Sequence, residues 1–492
     1  MNFRIFIVIC MTFFGAFSVF GNTPDSTEIR RLVRQLNAPQ SDVRQAAEET
    51  LKNFGPAILP LLPSDEALKA GAPETELRVK RIRQEIQKQI SLDVLEPASV
   101  VMPEGEKTFH EWLTWLKTET GNDILEGFPS SDKKISAMKF SLPFQSFQGE
   151  AVAQNPQRIL FWNILDRIAD SVRYTTQFRE MEPKIYLVPS RSKVPRTGIL
   201  PVNPPEVSQN PWVTYVGPFR MAPQKLTSSL LLTEDIHSTQ LQTEIAWEPR
   251  LTAIFLNVQL SKILAVNSHV PSVSVKNSSS AVSSGEKNDL HELKFLSRVH
   301  EVPVGINTIF TNFDIPLTVT DPTDWEILRT ASAVTVQGKL SAVIAGAKYP
   351  FTFTDLERKV NRMFPAETQY VASVLVTFSR LRKEVKPSAQ DVEKKENMLV
   401  ATLRYRYHEA HGAMESHRTW VYQNPAWLES PTGQKIESTG YELLRQTTNE
   451  ISLDLYFPQP NEDLKGWKLV FPRSTGIYAV EYDFQMKDIP CP

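Results

Sequence analysis

Between Val94 and Val188 the chain twice follows the order strand, amphipathic helix, strand, and each helix carries an apolar stripe that has to be covered. The first helix opens at Thr108 and Glu111, the Ser/Thr-x-x-Glu spacing in which two side chains satisfy each other's free backbone N–H groups. Phe109, Trp112, Leu113 and Leu116 fall at i, i+3, i+4 and i+7, and Gly121 supplies the stop. The second is expected to start at Asn155-Pro156, a cap followed by proline in the first turn, and to carry Phe161, Ile164, Leu165, Ile168 and Val172. Around them, Ile135 to Leu142, the alternating Tyr174, Thr176 and Phe178, and Lys184 to Val188 read as strands, with Pro143 to Gln154 as an insertion. Two helices on a small sheet is the expected solution.

This stretch is about a fifth of 492 residues, and at roughly 150 residues per domain the length allows about three domains. With 41% hydrophobic and 22% charged residues, sizeable cores are expected and global disorder is not. The formal net charge of -2 gives no electrostatic reason to expect nucleic acid or an anionic membrane as partner. There are 19 glycines, against the roughly 34 of average usage, so phosphate-cradling loops are poorly supplied.

Met1 to Gly21 has Arg4, an apolar run from Ile5 to Phe20 and the small-residue signal Val19-x-Gly21, the pattern of a secretory signal peptide. The run is shorter than the ~20 residues that span a bilayer, and no later segment is long and apolar enough, so no integral membrane segment is expected after cleavage. Export to the periplasm or the exterior follows. Of the two cysteines, Cys10 lies inside the signal and Cys491 next to the end, so a mature chain has no internal disulfide and must rely on its cores.

Residues 22–92 read as helices. Ile29, Leu32, Val33 and Leu36 form one stripe, and Val43, Ala46, Ala47, Thr50, Leu51 and Phe54 the next, with Ser41 as cap and Gly55 as stop. A further helix from Glu74 to Ile90 carries Leu77, Val79, Ile82, Ile86 and Ile90. Leu36, Asp42-Val43-Arg44, Ala46, Ala47, Leu51, Gly55, Ala57, Leu59 and Leu62 resemble one unit of a HEAT-type repeat. Such repeats need about three units to hide their apolar faces, so this piece is expected to pack on a neighbour or partner. Residues 93–190 resemble the short N-terminal (STN) module of secretins and TonB-dependent receptors. The resemblance is carried by Phe109, Trp112, Leu113, Leu116, Thr120-Gly121, Ile135 to Leu142, Leu165, Ile168, Ala169, Tyr174 and Lys184 to Val188. It implies docking onto another envelope protein.

Pro189, Pro195, Pro201, Pro204, Pro205 and Pro211 make 191–211 a proline-rich spacer. Residues 212–360 then show short alternating runs, such as Leu241 to Trp247, Thr252 to Leu260 and Lys339 to Ile344, with a serine-rich loop from Val270 to Asp289. Residues 361–492 continue with Leu399 to Tyr407, Thr419 to Tyr422, Ile451 to Phe457 and Val480 to Phe484, after a charged break from Arg380 to Asn397. Both read as antiparallel β-sandwiches and resemble immunoglobulin-like sandwiches of exported bacterial proteins. Tyr349 to Leu356 echoes Glu481 to Ile489, as if each of two tandem sandwiches ended alike. The expected fold is α+β and multidomain: signal peptide 1–21, helical repeat 22–92, STN-like module 93–190, linker 191–211, and sandwiches 212–360 and 361–492.

Chemistry is sparse. His408, His411 and His417 crowd one strand end, but His408-Glu409-Ala410-His411 lacks the helical His-Glu-x-x-His spacing that places two imidazoles and a base on one face. A solvated hairpin is the plainer reading, and whether the three converge on a metal stays open. Neither a Gly-x-Ser-x-Gly elbow nor a phosphate-binding glycine motif occurs. The acid pairs Asp321 with Asp324 and Glu429 with Glu437 suit a glycosidase only if space brings them to the right separation. Cys491, between two prolines, is a poor nucleophile candidate. Trp247-Glu248-Pro249-Arg250 is either a sugar-stacking platform with two polar arms or a buried tryptophan with a solvated rim, and Trp420 and Trp427 pose the same choice. These readings favour a non-catalytic envelope scaffold acting on a protein partner. No metal, cofactor or catalytic residue is assigned. Polysaccharide or peptidoglycan binding through the sandwiches, and an envelope hydrolase, possibly metal-dependent, are the alternatives.

Overall fold

The computed structural model describes residues 25–63, 67–68, 71–127, 133–142, 151–152, 155–190, 212–231, 236–267, 289–387, 395–422, 425–460 and 463–491. The expected signal peptide 1–21, the spacer 191–211, most of the insertion from 143 to 154 and nearly all of the serine-rich loop lie outside them. The chain divides into two compact units, one up to Ile90 and one from Ser91 onward.

The first unit is helical. Asp25 caps Ser26–Gln35 by accepting from the Thr27 N–H, Ser41–Asn53 follows, and Gly55 at φ +66° turns the chain into a 3₁₀ segment, Gly55–Leu61. Ser41 is the first helical residue and not the cap, a place taken by Gln40 without a side-chain bond. Ile29, Leu32, Leu36, Ala47, Leu51, Val79, Ile82 and Ile86 form its core, whereas Leu77, on the expected stripe of the helix Pro73–Asp93, is 62% exposed.

In the second unit, Phe109–Thr120 has both bonds of the capping box, and Gly121 ends it at φ +69°. Its stripe is buried, and the Trp112 indole N–H donates to the Phe140 carbonyl at 3.1 Å. Ile124–Glu126 runs parallel to Glu182–Pro189, which pairs antiparallel with Tyr174–Arg179. The other helix is Phe161–Ser171 and begins five residues later than expected, with Leu160 in the cap position, because Asn155–Leu160 is a strand antiparallel to Ser99–Val101. A residue before proline is pushed toward extended backbone, and Asn155 precedes Pro156. Ile135 to Leu142 is also not one strand: Lys133–Ser136 is a helical turn, and only Lys139–Phe140 pairs, with Lys107–Thr108.

Four antiparallel sheets follow, in two pairs, each pair sharing a core. One sheet of the first pair orders Phe310–Pro316, Ile236–Trp247, Phe219–Leu231 and Thr214–Val216; its mate orders Asp289–Glu292, Thr252–Asn267, Ala333–Ala345 and Ile477–Pro490. In the second pair, one sheet orders Lys348–Phe353, Lys468–Ser474, Trp427–Glu429 and Lys435–Glu437. The other orders Glu367–Val371, Val374–Pro387, Lys395–Tyr407, Glu450–Pro458 and Gly440–Gln446. The expected charged break is therefore mostly strand, with Arg380 facing Thr402 and Lys386 facing Glu396 across one hairpin. Charges tolerate a strand there because successive side chains alternate between the core and the solvent face. Thr419 to Tyr422 is not a strand, since Trp420–Tyr422 forms a 3₁₀ turn.

The division at residue 360 is crossed twice by sheet pairing. Lys348–Phe353 pairs in the second pair of sheets, and Ile477–Pro490 returns to the first. The two echoed stretches are thus edge strands, each seated in the other pair from the one that tandem order implies. With Ala333–Ala345 and Lys468–Ser474, the strands next to them in the chain, they form one continuous ribbon: Ala345 faces Ile477, Lys348 faces Ser474, and between them Gly346 N–H donates to Gly476 O at 2.9 Å and Thr475 N–H to Ala347 O at 2.8 Å. At this crossing the fully buried Ser91 Oγ accepts from the Thr475 and Tyr478 hydroxyls at 2.7 and 2.9 Å. A Cβ on Gly346 would lie 2.2 Å from that oxygen, so the crossing requires glycine.

Candidate interaction cleft

The small α+β part is not held away from the sheets by a spacer. The Trp162 indole N–H donates to the Pro218 carbonyl at 3.0 Å, the Phe178 ring stacks on Phe310 at 5.3 Å, and one apolar cluster runs from Leu95 to Ile489. Two buried polar networks fix the contact. In one, Asp166 accepts from Arg220 at 2.9 Å and from the Tyr215 hydroxyl at 2.6 Å, while Arg220 also reaches Glu244 at 3.3 Å. Burial works to lower the Arg220 pKa, but Asp166, Tyr215 and Glu244 outweigh it and hold the guanidinium charged.

Trp247 to Arg250 builds the other network, and neither sequence reading of that string holds throughout. Trp247 is fully buried and has no face left for a sugar, while Glu248, expected on a solvated rim, is 1% exposed. Glu248 accepts from Ala98 N–H at 2.9 Å, Asn122 Nδ2 at 3.2 Å and Arg250 Nε at 2.6 Å. Arg250 donates to the Val94 carbonyl at 2.8 Å and to the Glu96 carbonyl, and its own N–H donates to Asn122 Oδ1 at 3.2 Å. Burial pushes the Glu248 carboxyl above its ordinary value, with Arg250 pulling against it.

Beside this latch lies a cleft of about 640 Å³ walled by every part of the second unit: Val94 and Pro183, the segment from Arg250 to Phe255, the loop 303–308, the ribbon crossing at 345–348, and 417–420. Its buried lining is apolar, with Leu251, Ile254, Ala345 and Trp420, whereas Glu301, Ile306, Asn307, Lys348 and His417 at its edge are exposed. Arg418 ties the two pairs of sheets together there. Its side chain is 9% exposed, meets both Glu301 oxygens at 3.1 and 3.2 Å, and lays its guanidinium 3.7 Å from the Phe255 ring centroid.

Of the expected site residues, the cleft brings together Arg250, His417 and Trp420. The histidines do not converge: His411 faces Glu409 at 3.5 Å and His417 faces Glu415 at 3.8 Å. Among the described residues no group of three or more His, Cys, Asp or Glu side chains is placed to hold a metal. Trp420 is buried with its N–H on the Ala413 carbonyl, and Lys435 covers the Trp427 ring at 4.5 Å. The acid pairs have structural partners. Asp321 caps Pro322–Thr330, Asp324 is buried and accepts from the Lys294 N–H, and Glu429 pairs with Lys468 at 2.8 Å. Glu437 faces Trp427 across the hairpin. Burial raises the Cys491 thiol pKa. Asn122, Asp166, Arg220 and the Arg418–Glu301 pair escaped sequence reasoning; only Asn122, next to a helix-ending glycine, carried a local signal.

Among the described residues no helix is long and apolar enough to cross a membrane. In comparisons with known proteins, no family model matches the chain, and neither does any curated protein or solved structure.

Proposed function

We propose that the chain is an exported, non-catalytic scaffold of the periplasm or cell envelope that works by binding another protein. The observation that carries the reading is the anatomy of the cleft: an apolar floor inside a rim of exposed Glu301, Ile306, Asn307, Lys348 and His417. Protein interfaces have this division into an apolar centre and a polar rim. The two sides of the cleft are pinned by Arg250 and Arg418, so a partner meets a preorganised surface and association orders few side chains. In this reading residues 22–92 act as a HEAT-like docking piece and 93–190 as an STN-like module built into the body of the scaffold.

The test is a photocrosslinking residue placed at Ile306 in cells that make the protein. A discrete adduct with another protein, abolished by Lys348→Glu elsewhere on the rim, is the expected result. Recovery of the free chain alone refutes the proposal. Export is checked separately by sequencing the mature N-terminus, expected just after Gly21.

A further inference from the structure

Away from the cleft, the second pair of sheets holds a pocket of about 300 Å³. Tyr422 and Tyr441 stand at its wall as a parallel stack, centroids 4.6 Å apart and planes within 4°. Tyr441 stands opposite the buried Leu455 on the neighbouring strand yet is 48% exposed, which leaves aromatic surface for a ligand beside the Tyr422 stack. Ser438 and Thr439 add hydroxyls, and Arg473 contributes a guanidinium that is only 3% exposed.

The Pro472 carbonyl and two aromatic rings hold Arg473 in place. One terminal N–H donates to the Pro472 carbonyl at 2.7 Å, and the guanidinium lies 3.6 Å from the Phe471 centroid and 5.0 Å from that of Tyr405. Burial lowers its pKa, and the groups that favour its charge are the Tyr405 and Tyr407 phenols.

We propose that this pocket binds a small carboxylate carried on a six-membered ring, with the carboxylate at Arg473 and one face of the ring against Tyr441. A planar guanidinium suits a carboxylate because two parallel N–H bonds fit its two oxygens. The pocket stands at the small end of ligand sites, which run from roughly 300 to 1,000 Å³, so one ring fills it. Sugar acids and aromatic acids share this chemistry. The inference is independent of the cleft and of the scaffold reading, and either can fail without the other.

Titration calorimetry on the mature chain at 0.15 M salt uses glucuronate and benzoate, each against its neutral counterpart, glucose and benzyl alcohol. At least one acid is expected to bind about tenfold or more tightly than its neutral counterpart, the usual weight of a charge-assisted bond, and which acid does so identifies the source. Because Arg473 variants risk misfolding, the ring contact is tested at Tyr441: Tyr441→Phe keeps the affinity and Tyr441→Ala loses about tenfold, as removal of an aromatic platform does. The proposal is overturned if neither acid exceeds its neutral counterpart, or if Tyr441→Ala binds as the parent does.

Discussion

Glu248→Gln should loosen the joint between the small α+β part and the first pair of sheets. The carboxylate receives three donors, and glutamine, with one oxygen and an NH₂, must turn a donor toward at least one of them. Losing the Arg250 bond removes a charge-assisted interaction of about 1.5–3 kcal/mol, and one unsatisfied buried donor adds about 1–3 kcal/mol. Breaking buried pairs costs about 3–5 kcal/mol in general. Arg250 keeps the Val94 and Glu96 carbonyls and its side chain is 19% exposed, so the low end applies, about 3 kcal/mol. Urea unfolding of the parent, Glu248→Gln, Arg250→Met and the double variant forms the assay, and the pair should show a coupling of at least about 1.5 kcal/mol. The pH dependence gives a second readout. The folded carboxyl titrates above its ordinary 4.5, so the folded state binds the proton more tightly and the group's contribution is greatest below 4.5 and declines as pH rises through the folded value. The gap between parent and Gln variant should therefore narrow on going from pH 4 to pH 8. Additive single effects, or a Gln variant within about 0.5 kcal/mol of the parent, would refute the reasoning.

Other expectations are simpler. Gly346→Ala should cost about 1–3 kcal/mol by forcing a Cβ onto Ser91 Oγ, with Ser91→Gly in the same chain restoring part of the loss in thermal unfolding. Arg418→Ala should free the segment 408–422 from Glu301 and Phe255, seen as faster amide hydrogen exchange there and unchanged exchange in the sheet cores. In the helical unit, burial works against the Glu48 charge, but Lys52, Arg78 and Arg81 outweigh it and lower the carboxyl pKa. Its contribution is therefore present above 4.5 and is lost as pH falls through the folded value. Glu48→Gln should flatten the acid limb of that unit's unfolding curve, and an unchanged limb would refute the assignment.

Local patterns were legible where local interactions decide the outcome. Thr108, Glu111 and Gly121 act within a single helix, so their spacing sufficed to place both its ends. The start of the helix Phe161–Ser171 was misplaced because Asn155-Pro156 is compatible with a cap and with an extended strand, and pairing with Ser99–Val101 selects the strand. Charge misled at Arg380 to Asn397 for a related reason. Arg382 looks like a loop residue until Asp454 and Thr402 on neighbouring strands are there to receive it. At Glu248 the error ran the other way, since a glutamate beside tryptophan and proline announces solvent, while its three donors come from residues as distant as Ala98 and Asn122.

From the sequence alone one could determine that the chain is α+β, which faces of its helices are apolar, where many strands run, and that its two cysteines allow at most one internal disulfide. Those properties depend on periodicity and residue chemistry over a few turns or strand residues. The tertiary structure alone decided that the edge strands Lys348–Phe353 and Ile477–Pro490 are exchanged between the two pairs of sheets, that the Asp166–Arg220 ion pair and the hydrogen bonds of Glu248 and Arg250 join the small α+β part to them, and that Arg250, His417 and Trp420 share one cleft. A strand's partner is selected by hydrogen-bond register and by the match of buried faces across more than a hundred residues, as between Ala345 and Ile477, and neither strand records that choice in its own side chains.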